Sequence, residues 1–444
     1  MKKKIWKIFA MIFMVALVFT GCATVSDVYD ENGNLIYFEE LVTFGGQVAK
    51  IGDYLYYANG FVDASGDDFN YDQAKEIGYL NRINLSQSLQ FDNEVSSEDR
   101  KNTSPLNSEK VNERFVGYQN QNMFALGSYL YFSSTNIHKS SSLENDYSQV
   151  SLFRISFNGD NLQEIYTTRY DESSAIEVQK GSDGNYYYVI CAQNSEEEYV
   201  LSSIKIGDKI GERVVLAENV ESYAIADEDS TQRNVVYSFT NEDEEIEFKA
   251  VDFATTETID YSYPTTMTVS LLDRCGDIVF YTADKSNTEV EVYYKDLNSV
   301  DTNFDGSNLF CATDSISNVI KVGDGYAFIT ANNALLYKEL NGQLKNILGS
   351  DTTFDILFEE NGWIYYSSST EINRISVIDK TIENVVTMTN MISGQYGYSD
   401  GYIYFFAQVE ESSNEDSDST DENYYLYRVS SDGSKNYQLL GKTK

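Results

Sequence analysis

The chain has 444 residues, 42% of them hydrophobic, too apolar for a disordered polymer and long enough for two to four ordinary domains or one large repeat array. Its 36 Tyr and 24 Phe beside only 2 Pro favour β-structure packed through aromatic faces. With 32 basic against 70 acidic residues the net charge is −38, which repels phosphate backbones and sets nucleic acid aside as a partner, and the single histidine, His138, excludes any metal centre that needs two imidazoles.

At the N-terminus Lys2, Lys3, Lys4 and Lys7 precede an apolar stretch from Ile8 to Thr20, closed by Gly21 and Cys22. That is the basic, apolar, small-residue order of a secretory signal. The apolar run of 13 residues falls short of the roughly 20 that span a bilayer, so cleavage is expected rather than a retained helix. The tetrad Phe19-Thr20-Gly21-Cys22 resembles the bacterial lipobox, with Phe19 in place of the usual Leu. The resemblance implies that Cys22 is lipidated and becomes the new N-terminus, which makes the protein an exported lipoprotein on the outer face of the cytoplasmic membrane. Removal of residues 1–21 leaves 28 basic against 70 acidic residues, a charge of −42. So acidic a chain is repelled by an anionic leaflet, and the lipid rather than a basic patch must hold it there.

Beyond the leader, a short turn followed by an aromatic strand recurs: Gly52 before YLYY, Gly127 before YLYF, Gly184 before YYYV, Gly276 before IVFY, Gly325 before YAFI, Gly362 before WIYY and Gly401 before YIYF. The separations are 75, 57, 92, 49, 37 and 39 residues, and the long interval of 92 holds a degenerate copy, Val235-Val236-Tyr237. Residues 47–444 divided among eight copies give about 50 residues each, the size of a four-stranded propeller blade.

Each copy resolves into strands A to D with period-2 patterning. In the second, A is about Met123 to Leu126, B Tyr129 to Ser133, C Ser151 to Phe157 and D Leu162 to Tyr166, with Asn158-Gly159-Asp160 as the C–D turn. Strand C often carries an arginine: Leu80-Asn81-Arg82-Ile83, Leu152-Phe153-Arg154-Ile155, Ile372-Asn373-Arg374-Ile375 and Leu426-Tyr427-Arg428-Val429. An arginine repeated at one strand position suggests repeated contacts between neighbouring blades.

On these elements residues 45–444 resemble bacterial cell-surface lipoproteins of uncharacterised function, whose propeller repeats read aromatic-Tyr-Tyr, Leu-Tyr-Arg and Asp-Gly and are likened to those of low-density-lipoprotein receptor-related proteins. Repeats three to five depart from the arginine pattern, with Ile204-Lys205-Ile206, Phe248-Lys249-Ala250 and Val292-Tyr293-Tyr294. The resemblance implies an all-β propeller of four-stranded antiparallel blades and carries no catalytic motif. The expected organisation is a signal peptide over 1–21, a lipid-attached tether over 22–45 and a propeller over 46–444, with eight blades favoured over seven.

The best local match to a metal motif is Asp301-Thr302-Asn303-Phe304-Asp305-Gly306, which has the oxygen ligands and Gly of a calcium loop. The residue at its twelfth position is Ala312 instead of the bidentate Glu, so a hairpin turn is the expectation. His138 lies in the polar stretch SSTNIHKSSS and reads as a solvated loop residue. Carboxylate pairs cannot be picked out among so many acids, and no sialidase-type Ser-x-Asp-x-Gly-x-x-Trp box is present. Trp363 reads as blade packing, and Glu410 to Glu422, with seven acids and no base, as a solvated loop that could steer cationic partners. No catalytic residue, cofactor or metal is assigned.

The leading expectation is a lipid-anchored extracytoplasmic binding, sensing or scaffold protein engaging a protein, peptide or glycan. The competing one is an extracytoplasmic carbohydrate-active enzyme using funnel carboxylates. Because the last repeat carries its own strand D near Leu440, ring closure should not borrow an N-terminal strand, and Val28 to Glu40 should form a hairpin or tether outside the ring. Cys275 and Cys311, at opposite edges of one blade, should not form a disulfide. Strand directions place the B–C loops Ala58 to Glu76, Ser134 to Gln149 and Gln408 to Asn423 on one face, with a D–A link at about Ser96 to Tyr118, and that face is expected to be the working surface.

Overall fold

The structure, a computed structural model, describes residues 26–442 except 31, 47, 59–78, 86–107, 116–122, 137–145, 170, 172–173, 227–229, 242–245, 263–267, 285–290, 300–303, 305, 313–315, 350–353, 389–390, 409–423 and 433–436. The leader, Cys22, His138 and Glu410 to Glu422 lie outside the described residues.

Eight antiparallel sheets follow one another along the chain, each with four consecutive strands in sequence order. The blades span residues 48–115, 124–169, 175–217, 220–261, 268–311, 316–348, 355–387 and 391–442. Every aromatic copy read from the sequence is a strand B, including the degenerate one, which is Asn234–Thr240 of blade 4. Sequence spacing thus predicted eight blades, and the ring has eight.

Strand B lies in the middle of its sheet with a neighbouring blade on each face, so both of its faces are buried. Leu55, Tyr56 and Tyr57 are all within 1% of complete burial, which explains why these strands read as unbroken apolar runs rather than as alternation. Strand D is the outer edge and faces solvent, with Val214 and Val215 of blade 3 exposed. The A–B turns need a left-handed residue, which Gly127 supplies at φ 62°. In blade 6 Gly323 has that role (φ 59°), while Gly325 already belongs to strand B, where a Cβ would lie 2.5 Å from the Tyr337 ring.

The strand-C arginines interlock successive blades. Arg82 of blade 1 donates to the carbonyl of Phe157 in blade 2, and Arg154 of blade 2 to the carbonyls of Gly207 and Asp208 in blade 3. Arg374 of blade 7 donates to the carbonyls of Ser431 and Asp432 in blade 8. Each acceptor lies in the next blade's C–D turn. Within its own blade each guanidinium also bonds a strand-D side chain, Glu109, Gln163 or Glu383, and lies over the first aromatic of strand B. Those rings are Tyr54 and Tyr129, both 4.2 Å from the guanidinium carbon to the ring centre, and Trp363 at 4.5 Å. A tyrosine two residues further on, Tyr131 or Tyr365, donates to the same turn. The recurrent Tyr-x-Tyr and Arg are therefore one device, and Trp363 belongs to blade packing.

Strand A is innermost, since the first strands of blades 4 to 8 and of blade 1 adjoin one another in turn. The seam between blades 8 and 1 closes by packing: Val48, Leu55, Tyr57 and Ile83 meet Tyr404, Phe406 and Leu426, with Lys50 paired to Asp400. Among the described residues no N-terminal strand completes blade 8, whose sheet holds its own four strands.

Two expectations need correction. A hairpin does form, with Tyr29 bridged to Leu35, but the segment as a whole does not stay outside the ring. The chain continues from it into a strand, Phe38–Thr43, that pairs antiparallel with the inner edge of strand A of blade 2 and so enters the channel side of the ring. An innermost strand leaves backbone donors and acceptors open, and the N-terminal segment fills them. The second correction concerns blade 1, whose strand D is Ser108–Phe115. Residues 85–107 are therefore a C–D connection and leave from the tight-turn end, not from the B–C end. The polar sequence SEKVNERF suits an outer strand and carries little apolar signal.

Candidate functional site

Because strand A lines the ring, its residues that keep accessible surface mid-strand open onto the channel. Glu177 in Ala175–Lys180 of blade 3 is such a residue. Its side chain keeps accessible surface while the channel walls crowd round it, and the desolvation they impose, with the charge of Asp273 adding to it, pushes its carboxyl up to about 7. Asp273 lies in Thr268–Cys275 of blade 5 and accepts the backbone N–H of Val319 in blade 6 at 2.9 Å. That bond crosses between blades where Asn318 has φ 49° and the blade 6 register slips. The channel thus holds two carboxylates in unlike settings, one tied to backbone and one desolvated. Sequence reading missed both, because acids are too abundant for any pair to stand out.

At the tight-turn end a cavity of about 520 Å³ opens between the N-terminal segment and blades 1 and 8. Its lining includes Asp30, Tyr37, Phe38, Phe44, Lys50 and Asp400. The N-terminal segment is fixed there by many bonds. Ser26 Oγ accepts from Arg82 Nη2 at 3.1 Å, and Asp27 accepts from Asn158 Nδ2 at 2.7 Å. Tyr37 donates to Asp208 at 3.3 Å, and Glu40 accepts from Lys180 at 2.7 Å and from Tyr186. The bond from Lys180, with that from Tyr186, holds the Glu40 carboxyl below its usual range.

Other sequence candidates are resolved by burial. Cys191, Cys275 and Cys311 are buried and none is disulfide-bonded; Cys275 ends strand A and Cys311 ends strand D of blade 5. Burial pushes the thiols of Cys191 and Cys311 up to about 12. In the calcium-like loop, Asp301 and Asp305 lie outside the described residues. Phe304 is fully buried, packed on Phe248, Tyr261 and Tyr281, and Gly306 N–H donates to Tyr281 Oη at 3.1 Å. The loop is therefore anchored by an aromatic plug. Among the described residues no group of three or more His, Cys, Asp or Glu could hold a metal ion.

No family model matches the sequence, and no curated protein matches it. Similar solved structures include an uncharacterized protein of Listeria monocytogenes, with 13% identity, a TM-score of 0.40 and coverage of 66% of this chain and 88% of that one. A puromycin-hydrolyzing peptidase of Mycobacterium tuberculosis shares 9% identity at a TM-score of 0.44, covering 72% of this chain and 52% of its own. The extracellular domain of BT4673 from B. thetaiotaomicron shares 9% identity at 0.35, covering 89% and 66%. This chain thus spans about half of the peptidase. With TM-scores this low, none of these likenesses transfers an activity.

Proposed function

We propose that this propeller is a lipid-anchored extracytoplasmic binding, sensing or scaffold protein, held to the outer face of the cytoplasmic membrane through Cys22, that engages a protein, peptide or glycan through loops at the B–C end. The observation that carries the reading is the division of the chain. A scaffold locked blade to blade by buried arginines leaves three long B–C connections, residues 59–78, 137–145 and 409–423, departing from one end of the ring. Rigid strands position connections for binding, and these three lie together at the B–C end, whereas residues 85–107 and 297–308 leave blades 1 and 5 from the other end. The test is binding of the full chain to purified cell-wall polysaccharides and to a peptide library, compared with a variant in which 59–78, 137–145 and 409–423 are each replaced by a short Gly-containing turn. Loss of binding with an unchanged melting temperature supports the reading, and undiminished binding refutes the face assignment.

A second reading, a carbohydrate-active enzyme, is favoured by one observation, the desolvated Glu177 sharing the channel with Asp273. Polysaccharide turnover that disappears in Glu177→Gln would support it over the binding reading.

A further inference from the structure

We infer that the tight-turn end of the propeller lies against the lipid surface, so that the B–C end points away from the membrane. The inference rests on the proposed lipid anchor and adds an orientation to it. Its first ground is reach. Ser26 and Asp27 are already bonded to Arg82 and Asn158, which belong to the turn end of blades 1 and 2. Cys22 is four residues before Ser26, and four extended residues span at most about 14 Å. A lipid on Cys22 therefore brings this end of the ring to the headgroups. The opposite end stays a strand length further out, about 25 Å for the eight residues Tyr199–Ile206.

The second ground is where apolar surface is left uncovered. Beside the anchor, Tyr29, Leu35 and Tyr37 are 53%, 62% and 54% exposed. Across the ring, the C–D turns of blades 6 and 7 present Leu344 and Ile378, the latter 86% exposed. The remaining exposed large apolar side chains lie on outer strands, and among the described residues none sits at the B–C end. Apolar and tyrosine side chains thus stand exposed at this end on both sides of the channel, where they can meet a bilayer interface. Asp160, Asp208 and Asp379 on the same turns oppose anionic headgroups, so the contact depends on the lipid and tightens as salt screens them.

The experiment uses the full chain expressed in a bacterial host, extracted with its lipid and placed in phosphatidylcholine–phosphatidylglycerol vesicles carrying a headgroup-attached acceptor dye. A donor is coupled to Ile378→Cys, Leu35→Cys or, at the B–C end, Glu196→Cys; the buried native thiols stay unlabelled. Energy transfer from positions 378 and 35 at least about twofold above that from 196, increasing with salt, is the expected result. Equal transfer from all three, or more from 196, overturns the orientation. The mass of the N-terminal peptide is read first. An unacylated Cys22 removes the anchor reading and the orientation with it, whereas an acylated Cys22 with equal transfer refutes the orientation alone.

Discussion

Arg374 in strand C of blade 7 donates from Nη1 to the carbonyl oxygen of Ser431 in blade 8 at 3.0 Å, across 57 residues of sequence. The same guanidinium bonds Glu383 at 2.9 Å and covers the Trp363 ring, so one side chain ties its own outer strand, its own middle strand and the next blade. Arg82 occupies the same position with no exposed surface at all.

Removing the cation from this position leaves the turn carbonyl to its tyrosine donor alone, takes the partner from a carboxylate and opens a hole beside the strand-B ring. Arg82→Ala is expected to cost about 3 kcal/mol and Arg374→Ala, half-buried, about 2 kcal/mol. Lysine should restore only part, because it cannot form the fork. Urea unfolding at neutral pH, with the slope unchanged and the midpoint shifted, is the measurement.

Glu177 gives a pH dependence of definite sign. Its folded pKa of about 7 lies above the ordinary 4.5, so the folded state holds a proton that the unfolded chain has released between these values. This group's contribution to stability is full at low pH and is lost as pH rises through about 7. Glu177→Gln should raise the thermal midpoint at pH 8 and leave it unchanged near pH 4. An equal shift at both pH values would show that Glu177 does not titrate in this way.

Buried thiols with pKa values near 12 make poor nucleophiles. Cys191 and Cys311 should resist iodoacetamide at pH 8 in the folded protein and react within minutes in guanidinium. Peptide mass mapping reads both outcomes.

Phe304 is the plug of the calcium-like loop, and Phe304→Ala should cost about 3–4 kcal/mol through the cavity it leaves among three aromatic rings. Added calcium should not recover the lost midpoint in a thermal melt.

Since blade 8 is complete without it, the segment before residue 44 can be removed without opening the ring. Deleting residues 22–43 should preserve a cooperative transition and lower stability by about 3 kcal/mol, from the partly buried Phe38, Leu41 and Val42. Loss of cooperativity in circular dichroism would show instead that the inner strand holds the ring together.

The parts of this molecule that were legible in the sequence are those whose side chains do the packing. The strand-B aromatics, the turn residues before them and the strand-C arginines each bury a distinctive group, and the degenerate copy at Val235 could be placed from spacing alone. Phe38–Thr43 was misplaced because it joins blade 2 through backbone pairing, which leaves no mark on residue type. Ser108–Phe115 was misplaced because an outer strand needs no apolar face. Glu177 and Asp273 differ from the other acids only by position in the channel, which no linear pattern encodes.

The seam between blades 8 and 1 also sets the order in which the ring can be completed. Lys50 and Asp400 are 350 residues apart in sequence, and Val48, Leu55 and Tyr57 have no partner blade until Tyr404 and Phe406 exist. During synthesis, one aromatic face of the first blade therefore waits uncovered while seven more are made. Contacts of such sequence separation slow folding and lengthen the exposure of sticky intermediates. The longer the last blade takes to arrive, the longer that face stays open to aggregation or to a holding chaperone.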